Sequence, residues 1–204
     1  MHPGIFLVIA AAAVAYFFVS RSATGADAPE PGQEVGGTLQ YVDPPVNASP
    51  PGGGNPSDPQ VQAFFALISS SEGTQGDYGV FYGGVSFSDF STHPCELRAD
   101  GTRLIAPVLL PDGKNFTTAA GKYQITLSTW NAYGGTAHYG SFDSSAQDAC
   151  CADILANCGA MAQIDAGDVT GAQSTLSSQW ASFGASTLEA NNAAFVAAGG
   201  TMTS

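Results

Sequence analysis

Leu67-Ile68-Ser69-Ser70-Ser71-Glu72-Gly73-Thr74 decides the reading of this chain, because an apolar helix there runs into a single glutamate and stops at a glycine. Upstream, Asp58 offers an N-cap carboxylate and Pro59 supplies the fixed φ of a first helical residue. Val61, Phe64, Phe65 and Ile68 then recur at i, i+3, i+4 and i+7, the spacing of one helical face. Glu72 stands four residues beyond Ile68 and continues that stripe, which turns its carboxylate toward the core side. Burial raises a carboxyl pKa. With Gly73 as the residue after the cap, the negative end of the helix dipole acts in the same direction. A carboxylic acid that keeps its proton near neutrality is a candidate general acid; the same helix pattern also suits a terminal glutamate that simply reaches water.

Working outward, Tyr78, Val80, Phe81 and Tyr82 lead into Gly83-Gly84 and out through Val85 and Phe87, the signature of a β-hairpin. Then come Gly83-Gly84-Val85-Ser86-Phe87-Ser88-Asp89-Phe90-Ser91-Thr92-His93-Pro94 and, further on, Thr117-Thr118-Ala119-Ala120-Gly121-Lys122-Tyr123-Gln124. Together with Phe65 to Thr74, these runs resemble the catalytic-helix motif, the "GG-x-x-F-[ST]-D-[FY]-S-x-H-P" segment and the "ST-G-A-G-R-Y-Q" loop of the lambda-phage endolysin family. That family consists of lysozyme-like lytic transglycosylases. Weaker matches follow at residues 130–133, 145–149, 164–168, 180–182 and 197–200, so the resemblance covers nearly all of 61–204.

The resemblance implies an α+β, lysozyme-like fold: a mainly helical domain, residues 58–204, with a small β-hairpin sheet flanking the cleft. It implies Glu72 as the catalytic acid. Tyr78 and Tyr82 are candidates for stacking on sugar rings, or else for ordinary strand packing. Asp89 is a candidate second functional carboxylate, with a structural role equally open. Thr118, Gly121, Tyr123 and Gln124 are expected to face Glu72 across the cleft and bind substrate, the glycine where backbone approaches a ligand and the other three through hydroxyl and amide groups. The family's Gly-Tyr-Gly-Gln-like element after the tryptophan region is replaced here by Phe183-Gly184-Ala185-Ser186. Residues 95–116 are longer than the matching family segment, which predicts a reshaped rim.

Composition narrows the partners. The chain has 204 residues, 17 acidic and 5 basic, for a net charge of -12. That balance argues against nucleic acid or an anionic membrane surface as a partner. Residues 4–20 carry no charge, and those from 4 to 19 are rich in Ala, Phe, Val and Ile. At ~1.5 Å per residue they span about 24 Å, a little short of a ~30 Å hydrocarbon core. The segment is expected to be a transmembrane anchor, with a signal peptide cut near Ala26-Asp27-Ala28, or an anchor that later releases, as the alternatives. Residues 21–57, with most of the prolines and Gly52-Gly53-Gly54, are expected to be a disordered linker. Anchor and tether together suggest a catalytic domain facing the periplasm or cell wall, in a phage virion membrane or particle, with the membrane and other virion proteins as partners.

Further helices are expected around Leu127 and Trp130 and from a Ser144/Gln147 capping box through Cys150, Cys151, Ile154 and Leu155. Two more follow, one from Asp168 through Trp180 and one from a Ser186/Glu189 capping box to Gly199-Gly200. His2, His93 and His138 show no ligand spacing, so no metal is expected, and nothing calls for a cofactor. Cys95 could pair with a helical cysteine; a catalytic thiol is disfavoured because no histidine is placed beside one. The expected function is cleavage of the MurNAc-GlcNAc β-1,4 bond of peptidoglycan glycan strands with formation of 1,6-anhydro-MurNAc. The alternatives are a hydrolytic muramidase with Asp77 or Asp89 as base, and a non-catalytic wall-binding protein that keeps the fold.

Overall fold

A computed structural model describes residues 53–203 apart from 186 and 187. The anchor expected at 4–20 and the linker up to 52 lie outside the described residues. Among the described residues no helix is long and apolar enough to cross a membrane. The last five residues assigned to the linker, 53–57, are part of the domain: a Cβ at Gly54 would lie 2.2 Å from the Ala152 carbonyl oxygen, and the Ser57 N–H donates to Asn55 Oδ1 at 3.1 Å.

The first helix, α1, spans Pro59–Ser71. Its cap is Asp58, whose carboxylate accepts the Gln60 N–H at 2.8 Å and the Val61 N–H at 3.4 Å. Val61, Phe64, Phe65, Leu67 and Ile68 are fully buried, so α1 runs through the core. It packs against α4 (Ser144–Asn157), α5 (Met161–Asp165) and α8 (Leu188–Ala197). Phe64 meets Phe183 and Phe195 edge to face, with ring centroids 6.1 and 6.3 Å apart.

The expected hairpin forms: β1 (Val80–Phe81) and β2 (Val85–Ser86) pair antiparallel, Val80 opposite Ser86 and Phe81 opposite Val85, around a turn at Tyr82–Gly84. A second hairpin, absent from the sequence reading, lies in the long rim segment. Its strands β3 (Val108–Leu109) and β4 (Phe116–Thr117) pair Val108 with Thr117 and Leu109 with Phe116. Ala120 bridges Phe81 on one side and Ile125 on the other, which ties the following loop to the first hairpin.

The helical remainder closes over α1. Thr126 caps α2 (Leu127–Ala132), with Trp130 fully buried, and α3 (Gly135–Tyr139) follows across Gly134. Helix α4 carries the expected apolar stripe, but its cap is Asp143, which accepts the Ala146 N–H at 3.0 Å. Gln147 belongs to no capping box, because its amide is buried and bonded elsewhere. Asp168 caps α6 (Val169–Leu176), which stops four residues before Trp180. The short α7 (Ser182–Ala185) leads toward α8, and the cap expected at Ser186 lies outside the described residues.

Candidate active site

The site begins at the end of α1. Glu72 is the C-cap, and Gly73 continues at φ +72°, a left-handed conformation that glycine adopts without strain. The Gly73 N–H reaches the Ser70 carbonyl at 3.1 Å and the Thr74 N–H the Ser69 carbonyl at 3.0 Å, a paired C-terminal closure that fixes where the Glu72 side chain leaves the helix. The hydroxyls around it form a chain. The Gly76 N–H donates to Ser69 Oγ at 2.6 Å, Ser69 and Thr74 Oγ1 are 2.8 Å apart, and Thr74 Oγ1 donates to the Lys122 carbonyl at 2.6 Å. The helix end is thereby clamped to the Thr117–Gln124 loop.

Glu72 itself is half-buried. Ser182 Oγ donates to Glu72 Oε1 at 2.6 Å and lies 3.1 Å from Ser71 Oγ, which donates to the Ile68 carbonyl at 2.8 Å. Burial pushes the Glu72 carboxyl above its ordinary value of 4.5, and the Ser182 hydrogen bond pulls more weakly the other way. The direction matches the sequence expectation. Ser182, which supplies the hydrogen bond, was not among the expected site residues.

The other expected contacts are placed differently. Tyr123 is fully buried, packs its ring on Phe65 at 5.0 Å and donates its hydroxyl to Asp148, so it is a core residue and offers a sugar no surface. Thr118 is buried and its Oγ1 accepts the Leu127 N–H at 2.9 Å, serving the entry into α2. Gly121 sits at φ +75°, and a Cβ there would lie 2.0 Å from Gln147 Oε1. The glycine there makes room for Gln147. Gln124 remains partly exposed and bends its amide back to the Gly121 carbonyl at 2.9 Å. Tyr78 is half-buried, with the Lys122 ammonium 4.8 Å above its ring and its hydroxyl between Lys122 Nζ at 3.0 Å and Asp148 Oδ1 at 2.9 Å. Tyr82, half-buried in the hairpin turn, is bound through its N–H to the Ala119 carbonyl at 3.0 Å.

The two alternative carboxylates serve their own loops. Asp77 is exposed and its Oδ1 accepts the Gly79 N–H at 2.7 Å. Asp89 accepts the Ser91 hydroxyl at 2.7 Å and Arg98 Nη2 at 2.5 Å; those bonds hold its carboxyl down to about 2. Such a group stays ionised and serves to anchor the segment that follows the first hairpin.

His93 is a core residue too. It is fully buried against Phe142, with Nε2 donating to the Ile125 carbonyl at 3.1 Å and Nδ1 accepting the Cys95 N–H at 3.2 Å. That pattern requires the neutral ring, and burial lowers its pKa to about 4. Cys95, Cys150, Cys151 and Cys158 are free thiols, so the pairing considered for Cys95 does not form. Burial pushes Cys95 up to about 11 and Cys150 up to about 12, which leaves neither as a ready nucleophile. Among the described residues no group of three His, Cys, Asp or Glu side chains is arranged to hold a metal ion.

Beside the loop runs a shallow depression whose polar wall is Gln124, Thr126, Thr129 and Gln179, over Ile154 and Trp180. Glu72 is not among its lining residues, but the two are linked. Trp180 Nε1 donates to the Tyr123 carbonyl at 2.8 Å, two residues before Ser182 reaches Glu72.

The family model described as Endolysin matches residues 62–202. The endolysin of Escherichia phage lambda is 32% identical over 131 residues, covering 60% of this chain and 76% of that protein. The structure of bacteriophage lambda lysozyme complexed with a chitohexasaccharide matches with a TM-score of 0.59 at 30% identity, over 72% of this chain and 97% of that one. A second structure of lysozyme from bacteriophage lambda matches with the same TM-score at 28% identity.

Proposed function

Because the chain belongs to the endolysin family, lysozyme-like phage enzymes of peptidoglycan cleavage, we propose that it cuts the MurNAc-GlcNAc β-1,4 bond as a lytic transglycosylase. The observation that carries this reading is Glu72: a half-buried carboxyl with its pKa raised, while Asp77 and Asp89 are bound into turns of their own. A hydrolase of either stereochemistry draws on a second carboxylate, about 5 to 9.5 Å from the first. Intramolecular attack needs only one. Protonated Glu72 gives its proton to the glycosidic oxygen as the C1–O bond breaks. The C6 hydroxyl of the same MurNAc ring then attacks C1, and the Glu72 carboxylate takes the hydroxyl proton. The proton count is restored, no water is consumed, and the product is 1,6-anhydro-MurNAc. Because the hydroxyl is already tethered to the reacting ring, proximity stands in for an activated external nucleophile.

The chitohexasaccharide in the lambda lysozyme complex supports a glycan strand as the ligand of this domain. For the rest of the chain the proposal is that residues 4–20 hold the domain at a membrane, in the host envelope or a phage particle, with 21–52 as tether. Fractionation of the full chain and of a chain lacking residues 4–20 tests that placement; equal release of both into the soluble fraction opposes it.

The chemistry is tested by mass spectrometry of muropeptides after the purified full chain acts on peptidoglycan. Products lacking one water support the transglycosylase, and reducing ends assign a hydrolase. Glu72→Gln is expected to lower turnover by roughly 10²- to 10⁴-fold or more, the contribution of a positioned general acid, with an unchanged circular dichroism spectrum. Turnover close to wild type in that variant overturns the assignment of Glu72.

A further inference from the structure

We propose that Ser182 is a positioning residue for the reaction: by donating to Glu72 Oε1 it fixes the carboxyl rotamer and makes Oε2 the oxygen that gives and takes the proton. The inference rests on Glu72 as the acid, whichever product the enzyme forms. A carboxylic acid has two oxygens, and only one can face the scissile bond with the proton on it. Ser182 Oγ stands 2.6 Å from Oε1, and a serine hydroxyl has one hydrogen to give. While that hydrogen points at Oε1, a proton on the same oxygen would meet it head on, so Oε2 carries it.

Ser71 supports the arrangement. Its hydroxyl gives its one hydrogen to the Ile68 carbonyl at 2.8 Å, so its oxygen, 3.1 Å from Ser182 Oγ, can only accept, and the shorter 2.6 Å contact keeps the Ser182 hydrogen on Glu72 Oε1. Two hydrogen bonds therefore sit side by side, Ser71 to the Ile68 carbonyl and Ser182 to Glu72 Oε1. When Glu72 loses its proton, the bond from Ser182 becomes charge-assisted and strengthens, so Ser182 favours the carboxylate that must accept the C6 hydroxyl proton.

The charges around the site leave this role to the hydroxyl. Neither α1 nor α7 carries another titratable side chain, and Glu189 of α8 and Asp165 of α5 are exposed. Lys122, in the loop clamped to Thr74, directs its ammonium at Tyr78, 3.0 Å away, and Asp148, 3.9 Å away. The position of Ser182, 110 residues from Glu72, also explains the short α7: it is the helix that presents this hydroxyl to α1.

The test is the pH–rate profile of the full chain, comparing Ser182→Ala and Ser182→Thr with wild type on one peptidoglycan substrate. Ser182→Ala is expected to lower kcat roughly ten- to hundredfold, the range for a hydrogen bond to a charged group. The basic limb of its profile moves to higher pH, because the hydroxyl no longer favours the ionised acid. Ser182→Thr keeps a hydroxyl and restores both. A Ser182→Ala enzyme with the wild-type limb overturns the proposal, whether or not kcat falls. So does a loss of kcat that Ser182→Thr leaves unrepaired while the melting temperature drops in both variants. Inactivity of Glu72→Gln with a normal Ser182→Ala enzyme removes this inference alone. Normal turnover by Glu72→Gln removes the reading on which it stands.

Discussion

At Glu72, the burial that holds a proton on the carboxyl also works against the folded state once the pH exceeds the ordinary carboxylate range. The folded pKa lies above the unfolded value of 4.5. Its contribution to stability is therefore fully present below 4.5 and is lost as pH rises through the folded value. Glu72→Gln removes the ionisation while keeping an oxygen for Ser182. The variant is expected to unfold at a higher urea concentration than wild type at pH 7, with the difference shrinking toward pH 4. Equal midpoints at pH 7 would show that the carboxylate is solvated after all. The half-burial of Glu72 at the end of α1 was legible because a stripe at helical spacing, a terminal glutamate and a following glycine are local. Ser182 was not, since a contact 110 residues away leaves no periodic trace. Tyr123 misled for a related reason: a tyrosine in a glycine-containing loop reads the same whether its hydroxyl meets a sugar or, as here, Asp148.

The loop at 117–124 and α4 act as one element, joined by the buried Gln147 amide and by Asp148, which accepts the Tyr123 hydroxyl. Gln147 Nε2 donates to the Phe142 carbonyl at 2.8 Å and the Tyr78 carbonyl at 3.1 Å, while its Oε1 accepts the Lys122 N–H at 2.9 Å. Gly121 leaves room for that amide. Gly121→Ala puts a methyl where Oε1 sits and forces alanine to φ +75°, which costs about 1–2 kcal/mol in backbone alone. Displacing a buried amide adds roughly 1–3 kcal/mol. A total near 3 kcal/mol, read from urea unfolding, is the expected loss; less than about 1 kcal/mol would mean the loop yields easily. Among elements, α1 was readable from an apolar spacing that repeats between a clear start and stop, and the first hairpin from its Gly83-Gly84 turn. Strands β3 and β4 are two residues each, as β1 and β2 are, but no Gly-Gly turn joins them, and α3 is one turn behind a glycine. The helix expected to reach Trp180 ends at Leu176 because that indole is needed elsewhere, on the Tyr123 carbonyl.

Across the whole molecule, acid stability is set by groups of opposite sign, and their windows can be separated. His93 has a folded pKa of about 4 against 6.5 unfolded, so between those values the unfolded chain binds the additional proton and stability falls as pH is lowered. For a fully buried ring the full shift corresponds to about 3 kcal/mol. The carboxyls of Asp89, Asp100, Asp112 and Asp143 are held below their ordinary value of 3.8 by loop and cap hydrogen bonds, so their contributions are lost chiefly below pH 4. Glu72 runs the other way in the window above 4.5 and partly masks His93. In the Glu72→Gln background the mask is absent. Urea unfolding of that variant at half-unit steps from pH 7 to 4 is expected to show stability falling by about 3 kcal/mol, with a slope approaching one proton per molecule, about 1.4 kcal/mol per pH unit, near pH 5. Replacing His93 by glutamine as well flattens that slope, although the double variant starts from lower stability because glutamine cannot rebuild the packing on Phe142. A slope that survives the loss of His93 would assign the acid lability to the carboxylates instead, and with it the reason this acidic chain keeps a neutral imidazole at the centre of its fold.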